Sequence, residues 1–392
     1  MSVVANLLHR LRPAAASRAR DPATSPRRIV LHAGLPKTGS TAIQRFLAEN
    51  RDALGRLGFL VPEAGMNRGG QHKHLILDLI GEDNAPPHRG AAEAFGREVA
   101  RHQGHTVVLS SEYLSQYFAK HGGEAPLVDR LLGLNLDVTV LFYVRPEAEQ
   151  INSAYVQYVK VFATDASIEA FALDKANRFG ERYAQLLAVA RPPRVSAIFR
   201  PYNAEVRRGG VVRDFLSAIG LPEADRARLG EETRVNESIG PIALAAARDA
   251  LSRLRRDGMR LSERQRLALR RKLMELVEAA EPEPPFQGVG DALRRTVEER
   301  AAADRERFAQ AAWGTSWDAV FGSGPDAERP PNAFDPATAG PDAVRRHRRM
   351  LDNLSAAAAI IARDEALAAV RPWDADAARA RAREEAALRK KS

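Results

Sequence analysis

The chain has 392 residues, 45% of them apolar, and a net charge of +9, a composition that suits a soluble globular protein with ample material for a core. Having no cysteine, it is excluded from disulfide scaffolds, thiolate nucleophiles and cysteine-ligated metal sites. The excess charge is largely terminal: residues 1–28 hold six Arg against one Asp and residues 323–392 hold thirteen Lys or Arg against eleven Asp or Glu, so no nucleic-acid partner is expected.

No apolar run approaches the roughly 18 residues needed to span a bilayer, and residues 3–8 are too short for a signal-peptide core. No integral membrane segment and a cytoplasmic location are the resulting expectations. The nine histidines include no H-E-x-x-H or comparable ligand spacing, so no metal site is expected.

Residues 1–26, rich in Ala, Arg and Ser, read as a disordered basic arm, although a transit peptide has a similar composition. Residues 27–44, RRIVLHAGLPKTGSTAIQ, then read as a strand, a tight loop and the first turn of a helix reaching toward residue 57. A Gly-rich loop entering a helix suits an anion, because the helix end offers unpaired N–H groups and positive potential. Lys37 adds a full charge, and Thr38, Ser40 and Thr41 add hydroxyls around Gly39. The same pattern also serves an ordinary capped turn. A Walker A loop requires Lys directly after the second Gly. Here Lys37 precedes Gly39, which excludes that geometry.

His72 and His74 stand just before the apolar run 75–80, where they are expected to be exposed near a helix start. A helix over 91–103 leads to a strand over 106–109, which ends in Ser110, Ser111, Glu112 and Tyr113. Polar residues at the carboxyl ends of parallel strands are favoured site candidates, so Glu112 is a candidate base or else a helix-terminal carboxylate. A short helix over 127–134 precedes the strongest strand, 137–144, which closes in Arg145. Pro146 suits the first helical position. Ser153 lies seven residues further, nearly two turns on, and so returns to the face from which Arg145 projects. An Arg and a hydroxyl together make a second phosphate pocket.

The loop P-K-T-G-S-T resembles the 5′-phosphosulfate loop of sulfotransferases that use 3′-phosphoadenosine 5′-phosphosulfate, and Arg145-Pro146 followed by Ser153 and Tyr155 resembles the 3′-phosphate motif of the same superfamily. The resemblance covers roughly residues 28–238. It implies an α/β fold in three layers, a central mostly parallel sheet flanked by helices in the sulfotransferase or P-loop manner, plus a helical C-terminal appendage.

A helix over 180–190, a strand over 194–199 and a helix over 209–221 follow, and residues 234–240, RVNESIG, are similar to bacterial members of the superfamily. The R-K-G-x-x-G loop of the cytosolic branch is missing, with Arg234, Asn236 and Ser238 as candidate substitutes. The domain expected over 27–322 is mainly helical from 241, with helical patterns that include 291–313. Residues 323–341 read as a linker and 342–392 as an Ala/Arg-rich helical tail.

The resemblance implies an enzyme that moves a sulfuryl group from the phosphosulfate donor to a hydroxyl or amine of a small-molecule or saccharide acceptor, including a carbohydrate or glycolipid. Adenosine 3′,5′-bisphosphate is the product, and no metal is required. Lys37 would offset charge on the bridging oxygen, Thr38, Gly39, Ser40 and Thr41 would hold the 5′-phosphate, and Arg145 with Ser153 the 3′-phosphate. Family members use Glu or His as the acceptor base, which makes Glu112 the first candidate and His74 or His72 the alternatives. Two other classes remain open: a P-loop kinase or NTPase, and a non-catalytic nucleotide-binding protein on the same fold. The acceptor and the oligomeric state are not legible in the chain.

Overall fold

A computed structural model describes residues 27–35, 37–81, 89–176, 182–230, 238–322 and 330–364. The expected basic arm, Arg234, Asn236, residues 323–329 of the linker and the tail beyond 364 lie outside the described residues. The chain forms two compact units, one drawn from Met1–Gln150, Lys175–Asn236 and Arg295–Arg329, the other from Ile151–Asp174, Glu237–Arg294 and Pro330–Ser392.

The first unit is α/β and built on five strands: β1 (Arg27–His32), β2 (Phe59–Leu60), β3 (Thr106–Ser110), β4 (Leu136–Val144) and β5 (Val195–Pro201). They pair in the order β2-β3-β1-β4-β5, and every pairing is parallel. Leu31 sits opposite Leu109 on one side and Val140 on the other, which fixes the central register. Successive strand residues point to opposite faces. Thus Ile29, Leu31, Leu109, Val138, Val140 and Phe142 enter one core, while Val30, Val108, Leu141 and Tyr143 enter the other. Burial on both faces is why these strands read as continuous apolar runs rather than as alternation.

Helices Lys73–Ile80, Ala91–Arg101, Tyr113–His121, Pro126–Gly133, Arg182–Ala188 and Ala302–Trp313 contribute side chains to the first core, among them Phe95, Phe118 and Phe308. Ser40–Glu49 and Val211–Ala218 contribute Ile43, Leu47, Val212 and Phe215 to the second. The connection leaving β1 therefore crosses one face toward β2, and the connection leaving β4 crosses the other toward β5. Adjacent strands whose connections depart in opposite directions open a crevice between their carboxyl ends.

Two expected helices are interrupted and a third, expected over 209–221, starts at Val211. The helix reaching toward 57 ends at Glu49 and restarts at Arg51, with Asn50 Nδ2 donating to Phe46 O at 3.0 Å in the break. Gly210, at φ 91°, separates Ala204–Gly209 from Val211–Ala218. The pattern over 291–313 resolves into Asp291–Glu299 and Ala302–Trp313.

In the second unit Pro241–Arg256 packs against Pro341–Ala362, which also meets Glu263–Glu278. The long helix buries Met350, Leu351, Leu354 and Ala358 there. Ser262 and Gln265 form a capping box at the start of Glu263–Glu278. Tyr155 packs on Phe171 and Phe286. Among the described residues no helix is long and apolar enough to cross a membrane.

Candidate functional site

The loop after β1 is shaped by close approaches that only glycine permits. A Cβ on Gly34 would lie 2.2 Å from Ser40 Oγ, and one on Gly39 would lie 2.8 Å from Val211 Cγ1. Gly39 also sits at φ 79°, where it precedes Ser40–Glu49 without giving a side-chain cap. Ala42 N–H and Ile43 N–H both donate to Gly39 O, which leaves the N–H groups of Ser40 and Thr41 as the open donors of this helix end among the described residues. Ser40 is 3% exposed, and among the described residues its Oγ has no hydrogen-bond partner. Buried polar atoms are normally satisfied, so this hydroxyl calls for a ligand or an ordered water.

Thr38 turns its hydroxyl back into the loop. Its hydroxyl is fully buried and donates to Leu35 O at 2.7 Å, bracing the loop from within. Thr41 is exposed. Lys37 adopts φ 71°, a left-handed conformation costing a non-glycine residue about 1–2 kcal/mol. Arg145 holds it there: its Nη1 donates to Lys37 O at 2.8 Å. The two motifs separated by 108 residues are thereby joined at the carboxyl ends of β1 and β4.

Arg145 also donates through Nε to Glu149 Oε2 at 3.1 Å, one turn along the helix Glu147–Lys160. Arg207, on the helix after β5, donates through Nη1 to the same oxygen at 2.7 Å. Both guanidiniums lie by the ring of Tyr202, at 5.6 and 5.9 Å from its centroid. Sequence reasoning passed over Glu149 and Arg207, since charged residues near helix ends read as solvated surface. The Arg200-Pro201-Tyr202 step at the end of β5 was the available signal.

Glu112 precedes the helix Tyr113–His121 at the end of β3 and is half-buried. Burial raises its pKa above the ordinary carboxylate value, and the charge of Lys37 pulls it back in part. Glu112 and Lys37 therefore share one electrostatic environment. His74 is half-buried on Lys73–Ile80.

His72 corrects the expectation of exposure. It is fully buried, with Nδ1 accepting from Ser110 N–H at 3.2 Å and Nε2 donating to Pro62 O at 2.9 Å. Both ring nitrogens are engaged, and burial lowers its pKa to about 4, so it is a neutral structural link between β3 and the segment after β2. His32, which the sequence did not single out, is likewise buried, with Nδ1 2.7 Å from Ser110 Oγ and its pKa lowered to about 3 by burial. Ser153 is half-buried on Glu147–Lys160 and belongs to the second unit. Among the described residues no group of three or more His, Asp or Glu is arranged to hold a metal ion.

The residues present fit a phosphate: an uncapped helix end, an unpartnered buried hydroxyl, and glycines where a Cβ would fill the cradle. No protein-family model and no curated protein matches the chain. Among solved structures, a sulfotransferase from Alicyclobacillus acidocaldarius is similar at 18% identity, covering 60% of this chain and 97% of its own, with a TM-score of 0.33.

Proposed function

We propose that this chain is a sulfotransferase that moves a sulfuryl group from 3′-phosphoadenosine 5′-phosphosulfate to a hydroxyl or amine, with saccharide and small-molecule hydroxyls as the acceptor class. The observation that carries this reading is the hydrogen bond from Arg145 to Lys37 O, because it ties an uncapped, glycine-shaped helix end to a second cationic site. Two separated phosphates on one nucleotide need two such sites.

In the transfer, the bond between sulfur and the bridging oxygen breaks as the acceptor oxygen bonds to sulfur, and the acceptor proton passes to a base. Lys37 offsets the negative charge that grows on the departing phosphate oxygen. The N–H groups of Ser40 and Thr41, with the Ser40 hydroxyl, hold the 5′-phosphate, and Thr38 keeps the loop in shape. Arg145 holds the 3′-phosphate. Glu112 takes the acceptor proton, a role its raised pKa favours. Catalysis on this reading is positioning plus fixed electrostatics.

Calorimetry with adenosine 3′,5′-bisphosphate and with ATP–Mg²⁺ tests the donor class. The bisphosphate is expected to bind tightly, and tight ATP–Mg²⁺ binding with no response to the bisphosphate would favour a kinase or NTPase. Lys37→Ala is expected to lower transfer from labelled donor by about 10²- to 10³-fold with the circular dichroism spectrum unchanged. A wild-type rate in that variant would remove the leaving-group role. Bisphosphate binding without transfer to any of a panel of acceptors would favour a non-catalytic binding protein.

A further inference from the structure

Three buried polar atoms around the strand-to-helix loop are without a hydrogen-bond partner among the described residues: His32 Nε2 at the end of β1, Ser40 Oγ at the start of the helix Ser40–Glu49, and Gln44 Nε2 one turn further along that helix. Residues four apart share a helix face, so Ser40 and Gln44 lie on one side of it. His32 stands beside Ser40. The point where a Cβ on Gly34 would lie is 2.2 Å from Ser40 Oγ and 3.6 Å from His32 Cε1, so hydroxyl and ring edge are no farther apart than these two lengths taken end to end. One water, at about 2.8 Å from each side, spans such a distance. Ser110 decides which ring nitrogen carries the proton. Its buried Oγ has His32 Nδ1, at 2.7 Å, as its one partner among the described residues, so its proton is satisfied only by donation to Nδ1. The ring, kept neutral by a pKa that burial lowers to about 3, then carries its own proton on Nε2, next to the edge that approaches Ser40.

We infer that His32 is a positioning residue for the 5′-phosphate cradle: through one buried water shared with Gln44, its Nε2–H holds the oxygen of Ser40 so that the Ser40 proton points at the phosphate. The inference rests on the proposed role of Ser40 toward the 5′-phosphate. Every donor in the series then points the same way, from Ser110 to Nδ1, from Nε2 to the water, from the water to Ser40 Oγ and from Ser40 to the anion, and donors aligned in this manner strengthen one another. Three partners are the ordinary complement of a buried water, and here they satisfy all three atoms. The rings of Tyr143 and Phe215, with centroids 6.0 and 5.3 Å from that of the imidazole, hold His32 in place, so the hydroxyl is oriented before the anion arrives. His32 acts through Ser40 and does not touch the nucleotide.

The test compares adenosine 3′,5′-bisphosphate with adenosine 3′-monophosphate, which lacks the 5′-phosphate, by calorimetry on the full chain. The wild type is expected to prefer the bisphosphate. Ser40→Ala and His32→Phe should each reduce that preference by about 10-fold, with affinity for the monophosphate unchanged. The double variant should lose no more than Ser40→Ala alone, because the imidazole acts only through the hydroxyl. His32→Gln, whose amide N–H can stand in for Nε2–H, should keep most of the preference. The inference is overturned if His32→Phe keeps the wild-type preference, if its loss adds in full to that of Ser40→Ala, or if both nucleotides weaken equally, as a purely structural role would produce. Should His32→Phe fail to fold, nitrogen-15 spectra of histidine-labelled wild type decide, with the His32 resonance assigned by its loss in His32→Gln. A neutral ring protonated on Nε2 that shifts when the bisphosphate binds is expected, and a proton on Nδ1 would overturn the inference. A wild type with no preference for the bisphosphate would overturn the proposed 5′-phosphate cradle itself, a result visible before any variant is made.

Discussion

At Glu112 two effects oppose each other: burial disfavours the carboxylate, and the ammonium of Lys37 favours it. Burial is the larger, so the group titrates above the usual glutamate value of about 4.3. A base must be deprotonated to accept the acceptor's proton, so the transfer rate should climb with pH along a limb set above that value and level off once Glu112 is ionised. Glu112→Gln is expected to remove the limb and lower the rate about 10²- to 10⁴-fold. A pH–rate profile that keeps the limb in this variant would move the base to His74. The strand-to-helix loop that carries Lys37 was legible in the sequence because glycine and hydroxyl residues punctuate it. The burial of His72 was not: its ring is satisfied by Pro62 O and Ser110 N–H, 10 and 38 residues away, and local periodicity carries no record of such partners.

The helix Val211–Ala218 is the element on which the cradle leans, since Val211 fills the space facing Gly39. Asp214 pins that helix to the sheet. It accepts from Tyr143 Oη on β4 at 2.8 Å and from Arg200 Nε on β5 at 3.0 Å, with a second bond from Arg200 Nη2. Tyr143 is fully buried, and without Asp214 its hydroxyl is left with Val211 O at 3.4 Å. Asp214→Ala should therefore cost about 1–3 kcal/mol in denaturant unfolding. A double variant with Tyr143→Phe should lose less than the sum of the single losses, because both act on one bond. Additive losses would mean that the two groups stabilise the fold separately. At this scale β1, β3 and β4 were readable because both of their faces are largely buried, and β5 because its buried Val195, Ala197 and Phe199 alternate with half-buried residues. The helix break at Asn50 was hidden inside a pattern with suitable helical spacing, where one residue's backbone conformation decides the outcome.

For the molecule as a whole, the sequence supported a layered α/β body, and the structure adds that its two units are interleaved along the chain. Composition cannot reveal this, because the pieces of one unit meet through contacts remote in sequence. Residues 342–392 read as an Ala/Arg-rich tail, yet Pro341–Ala362 places Met350, Leu351 and Leu354 in the second unit. Each fully buried apolar side chain contributes about 1.5–3 kcal/mol. A chain stopped at residue 329 should accordingly unfold at lower temperature than the full chain, measurable by scanning calorimetry. An unchanged transition would show that this helix adds nothing to the fold.

Interleaving also sets a timetable for synthesis. Tyr155 emerges early, but Phe286, against which it packs, follows only after about 130 further residues, roughly 7–26 s at the ordinary pace of a ribosome. Throughout that interval Tyr155 lacks one of the two aromatic rings it packs against in the second unit. The nascent chain consequently carries Tyr155 without that partner while β5 is still to emerge, and a chaperone-assisted ribosome should raise the yield of folded protein.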